Sequence, residues 1–100
     1  MWKTGSGWAG LLNDLPYEMT WEDAKAECAK LGDGWRLPTK DELDILYRNR
    51  QTIGGFVGDV YWSSTEYGNY SAWRQSFSNG FQNFSISSST DNSVRAVRTF

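Results

Sequence analysis

The sequence predicts an α+β fold, on three observations. Two segments of the first half carry helix starts with an apolar stripe behind them. Lysine vanishes after Gly54-Gly55, where serine, asparagine, glycine and aromatic residues take over. An Asn-Gly pair then divides a run of alternating apolar and polar residues near the C-terminal end. One hundred residues suit a single domain, residues 1–100, which at this size buries roughly 60 to 70% of the surface its unfolded chain exposes.

The first helix is expected in MTWEDAKAECAKLGDGW. Thr20 can cap it, with Asp23 three residues on as an acidic variant of the capping box, while Ala24, Cys28 and Leu31 share one face and Gly32 is placed to end it. The second is expected in RLPTKDELDILYRNR. There Thr39 and Glu42 form the full capping box, Asp41 adds negative charge at the positive end of the helix dipole, and Leu43, Leu46 and Tyr47 make the buried stripe.

Strands are the better expectation after Val57. VYWSST gathers β-branched and aromatic residues, and SVRAVRTF reads as a central strand whose Arg95 and Arg98 need partners. Between them, SAWRQSFSNGFQNFSI has Asn79-Gly80 at its middle, the pair that best supplies the positive φ angles of a type I′ hairpin turn. A two-residue loop there would pair Phe77 with Gln82 and Gln75 with Phe84. One face would then carry Trp73, Gln75, Phe77, Gln82, Phe84 and Ile86, and the other Ala72, Arg74, Ser76, Ser78, Phe81, Asn83 and Ser85. The first face reads as core, the second as solvent-facing; a slip of one residue would exchange them. SSSTDN beyond is a loop by composition.

Composition narrows the function. Ten basic and twelve acidic residues leave a net charge of −2 with no run of like charge, so neither nucleic acid nor an anionic membrane is drawn by long-range attraction. No apolar run approaches the roughly 20 residues of a membrane span. MWKTGSGWAGLLNDLP lacks the continuous apolar segment of a signal peptide, so an export signal for display on a cell surface or virion would lie elsewhere. A lone Cys28 and the absence of histidine exclude an internal disulfide, a cysteine-based zinc cluster and the usual general base.

At MTWEDAKAECAKLGDGWRLPTKDELDIL, YWSSTEY, AWRQSFSNG and VRAVR, the chain resembles a bacterial and phage family. It is the family found at the C-terminus of the Legionella collagen-like adhesin, whose C-type-lectin-type fold is also related to the formylglycine-generating enzyme. The likeness runs from about Gly10 to Phe100 on an ordered series of motifs. It implies a C-type-lectin-like domain, with two helices flanking a small twisted antiparallel sheet and extensive loops, that binds a protein or glycan ligand on a cell surface.

Some members of this wider fold are variable proteins of diversity-generating retroelements, in which adenine-directed mutagenesis rewrites a C-terminal binding surface. Their diversified codons derive from AAC or AAT, from which Lys, Glu, Gln, Met and Trp cannot arise. Between Tyr67 and Asn92 this chain contains only Trp73, Gln75 and Gln82 from that set, all on the inward hairpin face. The resemblance therefore implies a diversified ligand-binding surface on a constant scaffold. The alternatives are a constant adhesin domain binding glycan and an oligomerisation module.

The candidate ligand-binding residues are Asn69, Tyr70, Ser71, Arg74, Ser76, Ser78, Phe81, Asn83 and Ser85, with Phe84 and Ile86 borderline because a bulge would turn one of them outward. Aromatics contribute contact area at modest entropic cost and Ser and Asn adaptable hydrogen bonds, as in antibody loops. Arg74 suits either a ligand carboxylate or solvent, whereas Trp62 and Trp73 suit core packing better than sugar stacking. Arg36, Arg95 and Arg98 are expected to pair with carboxylates inside the scaffold. No cofactor, required metal or catalysis is expected. The Glu-Pro-Asn, Gln-Pro-Asp and Trp-Asn-Asp signatures of calcium-dependent lectins are missing, leaving Asp59 and Asp91-Asn92 as loop oxygens. Cys28 lacks the second cysteine of the copper-dependent relatives and reads as a buried thiol, while Glu22, Asp23, Asp41 and Glu42 are explained by their first-turn positions.

Overall fold

The computed structural model describes residues 2–3, 7–68, 71–84 and 90–99. In chain order they form β1 (Trp2–Lys3), β2 (Trp8–Gly10), α1 (Trp21–Ala29), β3 (Trp35–Arg36), α2 (Lys40–Arg48), the single-turn α3 (Arg50–Ile53), β4 (Val60–Glu66), β5 (Ala72–Ser76), β6 (Gln82–Phe84) and β7 (Val97–Thr99). The strands divide into two antiparallel sheets, in the orders β1-β2-β7-β3 and β4-β5-β6. Of the expected strand SVRAVRTF only Val97–Thr99 is regular, and it lies inside its sheet between β2 and β3.

Local chemistry sets both long helices. The Thr20 hydroxyl accepts the Asp23 backbone N–H at 3.3 Å to start α1. The helix stops at Ala29, so Leu31 lies beyond its apolar stripe and is 42% exposed, contrary to the expectation that it continues the face of Ala24 and Cys28. At α2 the capping box is complete: Thr39 Oγ1 accepts from Glu42 N at 3.2 Å, and Glu42 Oε1 accepts from Thr39 N at 2.9 Å.

β4 lies between two cores. Because side chains alternate along a strand, Tyr61 and Trp62 point to opposite faces. Tyr61 joins Leu43, Leu46, Phe77 and Val97 on the α2 side, while Trp62 joins Trp21, Ala24, Cys28 and Ala72 on the α1 side. Each indole N–H is satisfied within the fold: Trp62 Nε1 donates to the Met19 carbonyl and Trp21 Nε1 to that of Ser63, both at 2.8 Å. Ala72 is fully buried, which corrects its assignment to the solvent-facing side of the hairpin.

Two of the three scaffold arginines find carboxylates. Arg36 makes a two-pronged contact with Glu42, at 2.6 and 3.0 Å, and the fully buried Arg95 donates to Asp14 at 2.9 Å while its guanidinium lies over the Phe56 ring. Arg98 pairs with no carboxylate among the described residues; its side chain runs past Gly34, where a Cβ would come within 3.4 Å of it.

The hairpin register differs from expectation by two. Trp73 pairs with Phe84, Arg74 with Asn83 and Gln75 with Gln82, leaving a four-residue connection, residues 77–80, in place of a type I′ turn. Gly80 alone takes a positive φ, +81°, and Asn79 instead accepts the Phe81 N–H on its side chain at 2.9 Å. The cause is Phe77. Its N–H donates to the Asp59 carbonyl at 2.8 Å and its ring packs 4.4 Å from that of Tyr61, which takes it out of the hairpin ladder. A shift of two preserves the side-chain alternation, so Trp73, Gln75, Gln82 and Phe84 still share one face and Arg74, Ser76, Phe81 and Asn83 the other.

Candidate functional site

The inward side of the hairpin is fastened to α2 by two glutamines. Gln75, fully buried, donates from Nε2 to Asp44 Oδ1 at 3.0 Å and to the Gly80 carbonyl at 3.1 Å. Gln82 donates from its own Nε2 to the Lys40 carbonyl at 2.9 Å and to Gln75 Oε1 at 3.2 Å. Deeper along the same face, the Trp73 ring meets Phe84 edge-on at 5.8 Å and lies under Lys40 Nζ at 4.0 Å. Backbone and scaffold therefore hold this face without help from the opposite one.

The outward side is a short polar strip around one large ring. Phe81 is 66% exposed, Ser78 and Asn83 are exposed, and Ser71, Arg74 and Ser76 are half-buried. Arg74 Nε donates across the strands to Asn83 Oδ1 at 3.0 Å, and the Ser76 and Ser78 hydroxyls are 2.8 Å apart. Among the described residues β6 is the edge strand of its sheet. The strip offers a cation, hydroxyls, an amide and an uncovered aromatic ring. Among the described residues it brings together no paired acid and base.

The family model of the Lcl C-terminal domain matches residues 1–98. The chain belongs to that family. No curated protein matches it. Among solved structures the chain is similar to botrocetin, with a TM-score of 0.69 at 17% identity over 99% of this chain and 96% of that one. A chain of the complex between botrocetin and a mutant von Willebrand factor A1 domain gives 0.67 at 16% identity, again over 99% and 96%. The architecture described above is thus C-type-lectin-like.

Of the nine candidate ligand residues, the fold brings Arg74, Ser76, Ser78, Phe81 and Asn83 onto the hairpin strip; Ser71 precedes β5, its carbonyl accepting the Tyr67 N–H at 2.8 Å. Asn69, Tyr70 and Ser85, like the borderline Ile86, lie outside the described residues. Phe84 stacks on Tyr67, ring centroids 3.8 Å apart and planes 11° from parallel. Tyr67, at 47% exposure, is an aromatic surface that the sequence reading left unassigned. Alternation could not have found it, because the pairing of β4 with β5 is irregular between Trp62 and Glu66, just before it. Trp62 is fully buried in the core and Trp73 half-buried beneath Lys40.

Chemistry elsewhere in the domain is subdued. Burial, with Glu27 adding, pushes the Cys28 thiol up to about 12, where almost none of the reactive thiolate exists at neutral pH. Burial and the hydrogen bond to Asp14 likewise raise the Tyr61 phenol. Glu18 is raised by a hydrogen bond to Asp59 and by the charges of Asp59 and Asp91. Among the described residues no group of three or more His, Cys, Asp or Glu is placed to hold a metal ion.

Proposed function

We propose that this domain is the ligand-binding variable protein of a diversity-generating retroelement, with two cores and two helices as the unchanging scaffold and the outward hairpin surface as the part that is rewritten. It binds a protein or glycan on a cell surface, without catalysis and without calcium. The observation that carries this reading is the division of residue types between the faces. Trp73, Gln75 and Gln82, which mutagenesis of AAC or AAT codons cannot produce, all occupy the inward face, where they pack and hydrogen-bond against α2. Arg74, Ser76, Ser78, Phe81 and Asn83 on the outward face all belong to the reachable set. Asn69, Tyr70, Ser71 and Ser85 complete the proposed surface.

The surrounding DNA tests this directly. A reverse transcriptase gene is expected near the coding sequence, together with a near-copy of codons 67–92 that differs almost only where the copy has adenine; a complete locus without either would refute the reading.

One observation favours a constant glycan-binding adhesin instead. Tyr67, stacked on Phe84 and edge-on to Trp73 at 5.6 Å, forms an aromatic cluster suited to a sugar face. A glycan array separates the two sites. Loss of binding in Phe81→Ala places the contact on the hairpin strip, and loss in Tyr67→Ala with binding retained in Phe81→Ala favours the aromatic cluster. Binding that survives EDTA is expected on either surface.

A further inference from the structure

Away from the hairpin, Leu15, Pro16, Tyr17 and Met19 face Asp23, Glu27, Lys30 and Leu31 across an open groove of about 560 Å³. This volume lies within the range of ligand sites. Its floor is firm. Leu15 and Met19 rest on the core beneath α1, and their N–H groups donate to the carbonyls of Val94 and Asn92 at 2.9 and 3.0 Å. Its rim is uncovered apolar surface: Tyr17 is 76% exposed and Leu31 42%.

Two acids, Asp23 and Glu27, and one lysine, Lys30, line the groove, so its walls carry a net charge of −1 within an acidic stretch of the chain. Between Pro16 and Asp33 the chain carries five acidic residues and two lysines, so this segment accounts for more than the whole net charge of −2, and the rest of the chain sums to +1. Lys30 neutralises Glu27 at 3.0 Å and Lys25 pairs with Glu22 at 3.2 Å. The Asp23 carboxylate has no ion pair among the described residues and stands on the groove wall. An apolar floor beside an unpaired carboxylate rewards a ligand that buries aliphatic surface and carries a positive charge next to it.

We propose that this groove docks a short segment of a partner protein bearing a bulky aliphatic side chain beside a lysine or arginine. The aliphatic group covers Leu15, Met19 and Leu31, the cation faces Asp23, and the Tyr17 ring closes over the stem of the basic side chain. This contact is separate from the hairpin surface and stands whether that surface is variable or constant.

Titration of the isotopically labelled protein with acetyl-Leu-Leu-Arg-amide and acetyl-Leu-Leu-Glu-amide, followed by amide correlation spectra up to about 10 mM peptide, tests it. The arginine peptide is expected to give saturable shifts at Met19, Asp23, Glu27 and Leu31, with the glutamate peptide binding about fivefold more weakly, the scale of one exposed charge contact. Asp23→Lys should weaken the arginine peptide by at least about as much and the uncharged Leu31→Ser should weaken both peptides. Leu31 is exposed beyond the helix, so its variant keeps the fold even if Asp23→Lys disturbs the first turn of α1. Equal binding of the two peptides, no saturable shift with either, or shifts confined to the hairpin would each overturn the proposal.

Discussion

A single carboxylate, Glu42, joins the start of α2 to the four-stranded sheet. It accepts the Thr39 N–H and grips Arg36, whose guanidinium also donates to Thr99 Oγ1 of β7 at 2.8 and 3.0 Å. Burial alone would raise its pKa, but the hydrogen bonds from Arg36 and Thr39 and the charge of Arg36 outweigh that and hold it below the ordinary 4.5. A carboxyl depressed in the folded state contributes stability that is fully present above its unfolded value and is lost as pH falls through the folded one. Glu42→Gln should therefore be less stable than the parent near about pH 7, with the gap narrowing toward about pH 3. Urea midpoints at the two pH values measure it; a gap that stays the same at both would show that the charge is not involved.

At the scale of the element, the hairpin tip depends on one glycine. Gly80 sits at φ +81°, and a Cβ there would come 2.5 Å from Tyr47 Cε2, so backbone and packing both disfavour any side chain. Gly80→Ala should cost about 1–3 kcal/mol, read from urea unfolding, against a change within about 0.5 kcal/mol for the exposed Ser78→Ala. A Gly80→Ala protein as stable as the parent would mean that the connection relaxes freely. The same hairpin shows what a sequence can reveal. The division into inward Gln75 and outward Arg74 was legible because alternation survives any even shift. The register was not, because it depends on Phe77 leaving the ladder for the Asp59 carbonyl and the Tyr61 ring, partners that local pattern cannot foresee. Both helix starts were legible, since a cap is a four-residue event. The exposure of Leu31 was not, because it depends on where the helix stops.

At the scale of the whole molecule, neighbouring residues Tyr61 and Trp62 serve opposite cores, so the two helices share one strand. Trp62→Ala should cost about 3–5 kcal/mol, a large part of the 5–15 kcal/mol that holds a typical domain folded. Because β4 is common to both cores, amides of α1 and α2 should lose hydrogen-exchange protection together. Loss confined to α1 would show that the α2 core stands by itself. The lectin-like plan was legible in the ordered motifs, whereas the groove beside α1 was not, because it is made by Leu15–Met19 running back along the helix.

The glutamine fastening also bears on how the outward residues combine. Each bond that Gln75 and Gln82 make to the scaffold ends on Asp44, a backbone carbonyl or the other glutamine, and none ends on an outward side chain. An exchange of outward side chains thus leaves both glutamine fastenings in place. Among the described residues the linked pairs are Arg74 with Asn83 and Ser76 with Ser78, joined by their own side-chain contacts. Ser76 and Phe81 are also neighbours across the strands, the Ser76 N–H donating to the Phe81 carbonyl at 2.9 Å, so substitutions at adjacent outward positions couple with one another while the inward fastening is untouched.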